Sequence, residues 1–244
     1  MSSSASPSGA SASSASGSAA LAALRATARG GAVCFDVDST VIDCEAIDAL
    51  AEAAGAGAAV AALTRAAMGG SVPFREALSS RLALIAPSAS LLARFSAAHA
   101  FRLTPGVAAL FAALRARGAA IFLVSGGFTQ MIHPIADALA VPRERVYANT
   151  ILFDGEGRYA GFDEAAPTSR CGGKPDVVRE LKRRGFAPVV MIGDGVTDMD
   201  ARPPADAFIG YGGVVERAPV RDGADLFVRD FAELIEALER EEGR

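Results

Sequence analysis

Ala32-Val33-Cys34-Phe35-Asp36-Val37-Asp38-Ser39-Thr40 sets a short apolar run directly against two carboxylates spaced two residues apart. Side chains on a strand alternate with a period of two, so Asp36 and Asp38 start out facing the same way. Two like charges that close repel each other, and a fold that keeps them needs a reason. A divalent cation is one. A division of labour is another, with one carboxylate as nucleophile and the other as acid/base. Alone, Asp-x-Asp is often a solvated loop, so its weight depends on what the rest of the chain sets beside it.

Working outward, Ala119–Val124, Val189–Ile192 and Ala207–Ile209 are further short apolar runs of strand type. Helical patterns separate them at Val107–Arg117, Thr129–Ala140 and Pro175–Arg184. Strands alternating with helices predict an α/β fold, a Rossmann-like parallel sheet with helices on both faces. Asn149–Phe162, with Gly155-Glu156-Gly157 at its middle, predicts a β-hairpin. Residues 42–101 break the alternation. They are Ala/Leu-rich, interrupted at Gly55–Gly57, Gly69-Gly70 and Pro87, and carry no obvious strand. They predict a small helical-bundle cap inserted after the first strand, leaving residues 31–41 and 102–244 as the core.

Residues 1–30 are Ser/Ala-rich and predict a disordered tail, with a short helix at most over Ala19–Ala28. Arg25 and Arg29 are the only charged side chains before Asp36. That composition suits the remnant of an organelle transit peptide as well as a plain tail. A plastid location follows from the first reading and a cytoplasmic one from the second. The 244 residues are 51% hydrophobic and 21% charged, with a formal net charge of -4, which argues against nucleic acid or an anionic membrane as partner. No apolar run reaches the roughly 18 residues of a membrane span. Cys34, Cys44 and Cys171 show no metal-ligand spacing. Lys174 and Lys182 are the only lysines among 24 basic residues, so a lysine here is an unusual choice.

In an open parallel sheet, ligands bind beyond the carboxyl ends of the strands. Three apolar runs end in polar groups: Asp36 to Thr40, Ser125-Gly126-Gly127, and Gly193-Asp194-Gly195-Val196-Thr197-Asp198; Lys174 opens the helix that leads into the last of them. The fold gathers all four at one mouth. Asp36 is a reasonable nucleophile toward phosphorus. Asp38 can protonate the leaving oxygen and then activate water. The Ser125 hydroxyl and the Gly126 and Gly127 amides can cradle an anion at a strand-to-helix junction. Lys174 offers a compact positive charge. Asp194 and Asp198, with Asp36, supply the hard oxygen ligands that Mg²⁺ prefers.

These motifs, in this order, resemble the four motifs of the haloacid dehalogenase superfamily, from about Val33 to Ala201. Finer matches run from about Ala32 to Leu238. They include Met68-Gly69-Gly70-Ser71-Val72-Pro73-Phe74, Ser79-Ser80-Arg81-Leu82, Leu103-Thr104-Pro105-Gly106, Gly172-Gly173-Lys174 and Pro203-Pro204-Ala205-Asp206-Ala207. They are similar to the branch whose members hydrolyse O-phospho-L-serine. The resemblance implies a Mg²⁺-dependent phosphoric monoester hydrolase working through an aspartyl-phosphate, as the last step of L-serine biosynthesis. Its partner would be that small-molecule substrate, and a homodimer is compatible with it. It implies Asp36 as the phosphorylated residue, Asp38 as acid/base with its backbone carbonyl on the metal, and Asp194 as the remaining protein ligand. Ser125, Gly126 and Lys174 would hold the phosphate, supported by Gly127, and Asp198 would orient Lys174 or the metal waters. In the cap, Glu45 would meet the substrate ammonium and Arg81 its carboxylate. Met68 and Gly69 would close the pocket, with Thr197 and Arg217 nearby. Asp43 and Asp48 leave the ammonium partner open. Val214 follows Gly212-Gly213, where an Asn is common in this branch.

Overall fold

The computed structural model describes residues 9–67, 73–98 and 101–240. Six strands form one parallel sheet: β1 Ala32–Phe35, β2 Ala120–Phe128, β3 Val146–Asn149, β6 Val189–Gly193, β7 Ala207–Tyr211 and β8 Leu226–Val228. Their order is β3-β2-β1-β6-β7-β8. β4 Ile151–Phe153 and β5 Tyr159–Phe162 pair antiparallel as the expected hairpin. The sheet runs one way from β1 to β3 and the other way from β6 to β8, so the strand order reverses beside β1. A ligand crevice opens at such a reversal. The α/β expectation holds.

The core strands are buried on both faces, as parallel strands packed between helices are. Along β1, Val33 and Phe35 join one apolar cluster, while Ala32 and Cys34 join the other. Phe35 packs against a tilted Phe111, ring centroids 4.5 Å apart, and edge-on against Phe231. Those two rings belong to α6 Val107–Ala116 and α11 Phe231–Glu239. α7 Thr129–Ala138 packs beside β2 and β3. On the second face lie α8 Gly173–Arg183 and, around β7, the short helices α9 Val196–Met199 and α10 Ala218–Gly223.

The disordered tail expected over residues 1–30 is corrected over Gly9–Arg29, and residues 1–8 lie outside the described residues. Helix α1 spans Gly9–Ala26 and a 3₁₀ turn follows at Thr27–Arg29. Ala20 and Leu24 are buried against the sheet, the Ser16 hydroxyl donates to Asp225 at 3.0 Å, and the Arg25 guanidinium donates to the Ala237 carbonyl at 2.7 Å. Alanine is the best helix former, and its small side chain lets a helix lie close to its support. A composition that looks too poor to build a core is well suited to covering one.

Residues after β1 form α2 Ala46–Ala53, α3 Gly57–Ala67, α4 Phe74–Ile85 and α5 Ala89–Ala98. This helical insert leaves and rejoins the sheet layer through a narrow neck. Ile42 bridges Leu103 antiparallel, with Asp43 N donating to the Arg102 carbonyl at 3.2 Å and Thr104 N to the Val41 carbonyl at 2.9 Å. An ion pair between Arg102 and Asp43 ties the same crossing.

Candidate active site

Asp36 follows the last residue of β1, with its backbone N–H on the Ile192 carbonyl of β6 at 2.9 Å. The chain then turns sharply. Ser39 adopts a left-handed backbone, φ 53°, a strained choice for a residue with a side chain. Its hydroxyl donates to Glu45 at 2.8 Å, and one Asp38 oxygen accepts the Ala46 N–H at 2.8 Å. Asp38 thereby joins the tip of β1 to the start of α2.

Lys174 sits within the first turn of α8, and its side chain is 7% exposed. Its ammonium lies 2.9 Å from Asp36 Oδ2 and 2.6 Å from Asp198 Oδ1. Burial opposes that charge, but Asp198 and Asp36 more than offset it, and the ammonium is held above its usual range. The other Asp198 oxygen accepts the Gly195 N–H at 3.0 Å. Asp194, just past β6, accepts from the Thr40 hydroxyl at 3.1 Å and from Arg217 Nε at 3.0 Å. Arg217 also reaches Glu45, 3.6 Å away. Burial, then the neighbouring Asp36 charge, pushes the Asp194 carboxyl up. The Asp38 carboxyl is pushed up to about 8, through burial first and then the charges of Glu45 and Asp36. Near neutral pH it can therefore hold a proton while its neighbour Asp36 faces a lysine. Two carboxylates with environments pushed apart suit different roles.

Oxygens of Asp36, Asp194 and Asp198 all lie within 4.8 Å of one another. Such a set of hard oxygens fits Mg²⁺, which takes a few carboxylates and completes its shell with water. Asp36 and Asp198 both pair with Lys174, whereas Asp194 pairs with Arg217.

A cavity of about 370 Å³ opens over this cluster. It is lined by Asp36, Asp38, Gly126, Gly127, Lys174 and Asp194 below, and by Glu45 and Arg81 from the insert; Thr197 and Arg217 also face it. Ser125 is fully buried just beneath, accepting the Gly127 N–H on its hydroxyl at 3.0 Å. The stretch Ser125–Gly127 is not the strand-to-helix junction expected from sequence. β2 continues through it to Phe128, with a register shift against β3 between Val124 and Phe128. A Cβ on Gly127 would lie 3.0 Å from Asp38 Oδ2 and 3.2 Å from Ser125 Oγ, so only glycine leaves the two groups in place.

Of the three acids open as ammonium partners, Glu45 alone lines the cavity. Asp43 is engaged at the neck and Asp48 is exposed. Burial pushes the Glu45 carboxyl up, and its bond from Ser39 opposes that. Arg81 donates Nε to the Ala77 carbonyl of its own helix at 3.3 Å, and among the described residues it has no carboxylate partner. Met68 and Gly69 lie outside the described residues. Sequence reasoning missed the apolar part of the lining, Ile47, Phe74 and Leu78 on the insert and Phe128 on β2, and the polar Thr168 and Arg170. Apolar residues at helical spacing carry no mark that separates a pocket wall from a core.

This acidic mouth with a buried lysine, set at the reversal of a parallel sheet beneath a helical insert, belongs to a chain that matches the haloacid dehalogenase-like hydrolases. The profile of that family matches residues 31–206. Phosphoserine phosphatase of Bos taurus is 51% identical over 209 residues, which cover 85% of this chain and 93% of that protein. The chloroplastic phosphoserine phosphatase of Arabidopsis thaliana is 50% identical over 211 residues, 85% of this chain and 72% of that protein. Among solved structures, a phosphoserine phosphohydrolase-like protein from Francisella tularensis matches with a TM-score of 0.75 at 28% identity, covering 84% of this chain and 98% of that one. The chain belongs to the phosphoserine phosphatase family of the haloacid dehalogenase-like hydrolases.

Proposed function

We propose that this protein hydrolyses O-phospho-L-serine to L-serine and phosphate, with Mg²⁺, through a phosphorylated Asp36. The observation that carries the reading is one small cavity whose lining joins two chemically distinct sets of residues. Asp36, Asp38, Lys174 and Asp194 form one, and Glu45 and Arg81 are offered by the insert. A carboxylate for an ammonium and a guanidinium for a carboxylate are the least a site needs to select an amino acid.

An Asp36 oxygen attacks phosphorus as the serine oxygen leaves, taking the proton that Asp38 holds. Asp38, now a carboxylate, accepts a proton from water, whose oxygen displaces Asp36 from phosphorus and frees phosphate. Lys174 offsets charge on the phosphoryl oxygens through both steps, and Ser125 with the Gly126 amide orients them. Asp36 and Asp194 with the Asp38 carbonyl would hold Mg²⁺, and Asp198 keeps Lys174 in place. When bound, the ion supplies Lewis-acid stabilisation of the phosphoryl group. Glu45 and Arg81 seat the amino-acid end, and Thr197 and Arg217 border it. Insert closure would exclude bulk water.

A plastid location is supported by the chloroplastic Arabidopsis relative. Any segment removed on import must end ahead of Ala20 and Leu24, which are buried in the core. No described helix is long and apolar enough to cross a membrane.

The test is phosphate release from a panel of small phosphate esters, with Mg²⁺ and then with EDTA. Phosphoserine should lead the panel, EDTA should stop turnover, and added Mg²⁺ should restore it. A flat panel would sink the substrate, and EDTA-resistant turnover would sink the metal. The insert's part is tested separately. Arg81→Ala is expected to lower kcat/KM for phosphoserine about 10- to 100-fold, the worth of one charge-assisted contact. An aryl phosphate, which has no carboxylate to lose, should be hydrolysed nearly as before. Equal losses on both substrates would remove Arg81 from substrate selection.

A further inference from the structure

Asn149 ends β3 and is fully buried, yet the reaction described above makes no use of it. Its amide has two partners. Nδ2 donates to the Gly126 carbonyl at 2.8 Å, and Oδ1 accepts from the Thr168 hydroxyl at 3.0 Å. A carbonyl can only accept and the threonine oxygen has a proton to give, so these partners fix which way the amide points. The Gly126 carbonyl and the Gly127 N–H belong to one rigid peptide plane. Asn149 holds the carbonyl edge, and the N–H edge donates to Ser125 Oγ at 3.0 Å. A Ser125 hydroxyl that accepts this bond keeps its own hydrogen free for another acceptor.

Asn149 takes hold where β2 and β3 lose register, between Val124 and Phe128. The ladder cannot fix the Gly126 peptide there, and a side chain does it instead. Thr168 is itself 3% exposed and lies in the 3₁₀ turn Pro167–Ser169. That turn presses on the start of α8. A Cβ on Gly173 would come within 1.9 Å of the Pro167 carbonyl, so the backbone just ahead of Lys174 is in direct contact with it. From the other side, Arg75 of α4 donates to the Ser169 hydroxyl at 3.0 Å and to the Glu164 carbonyl at 3.1 Å. One turn therefore touches the strand that carries Ser125, the helix that carries Lys174, and the insert.

We propose that Asn149 and Thr168 are positioning residues: as a hydrogen-bonded strut they fix the Gly126–Gly127 peptide, and with it Ser125, in register with Lys174 for binding the phosphoryl group. This rests on the reading that Ser125, Gly126 and Lys174 hold phosphate. The strut touches no reacting atom and acts through the peptide it holds.

The test uses the full chain with Mg²⁺, p-nitrophenyl phosphate as reporter and inorganic phosphate as competing probe. Thr168→Val keeps the shape and removes the hydroxyl. It should raise the phosphate Ki and lower kcat, each about tenfold, and Thr168→Ser should restore both. Asn149→Asp keeps the shape but turns an acceptor toward the Gly126 carbonyl, so it should give the same signature, more strongly. It also keeps the test open if Thr168→Val folds poorly. A purely structural role would lower the melting temperature and leave the phosphate Ki where it was. That result, or a Thr168→Ser that fails to restore, overturns the strut. Absence of phosphate inhibition in the unaltered protein would instead overturn the phosphate site beneath it.

Discussion

Asp36→Asn is expected to lower turnover on phosphoserine by on the order of 10⁴- to 10⁶-fold, the range seen when a covalent nucleophile is removed. An amide is a poor nucleophile toward phosphorus, and the other carboxylate just past β1, Asp38, is engaged by the Ala46 N–H. The fold should survive. Asn keeps one oxygen toward the Lys174 ammonium, which lies 2.9 Å from Asp36 Oδ2, and the change removes one of three mutually repelling carboxylates. Rapid quench with labelled substrate should trap phosphate on the unaltered protein and none on the variant, at an unchanged melting temperature. Phosphate release within about tenfold of normal would end the case for Asp36 as nucleophile.

Lys174→Met should be the most damaging change overall, because it acts on stability and chemistry together. The ammonium lies between two carboxylates whose side chains are 13% and 0% exposed. Removing it leaves both facing each other in a dry site. Breaking a buried pair from one side costs about 3–5 kcal/mol. Loss of a preformed positive charge at the reacting group costs a further 10²- to 10³-fold in turnover, by analogy with oxyanion-stabilising donors. A urea titration should show the midpoint fall, and phosphate release should fall with it. Lys174→Arg should recover part of the stability and little of the activity, because a planar fork cannot occupy the place of a compact ammonium. A Met variant with the normal midpoint would mean that Asp36 and Asp198 do not depend on Lys174.

The centre of the fold was legible in the sequence and its edges were not. β1, β2, β6 and β7 are runs buried on both faces, so their residues are apolar throughout and stand out. β3 and β8 are short, half-buried edge strands whose residues read as loop. α1 was hidden by its composition, since Ser and Ala mark disorder and close-packed helix alike. The site follows the same logic. Asp36, Asp38, Ser125, Lys174 and Asp194 each sit in or beside a recognisable element, so order along the chain was enough to gather them. Asn149 and Thr168 gave no such signal, because their partners lie 23 and 19 residues away. The left-handed turn at Ser39, which hands Glu45 to the cavity, is likewise a matter of backbone that residue types do not announce.

The neck at Ile42 and Leu103 has a consequence for redesign. The two chain crossings pair there as neighbouring strands, so the ends of everything between them lie about 5 Å apart. A foreign helical unit needs only matching ends to be grafted at that point. Exchange there removes Glu45 and Arg81 together and leaves Asp36, Asp38, Ser125, Lys174 and Asp194 in the core. On the proposed reading the molecule is an engine with a detachable reader: the chemistry would stay with the core, and the choice of ester would travel with the cassette.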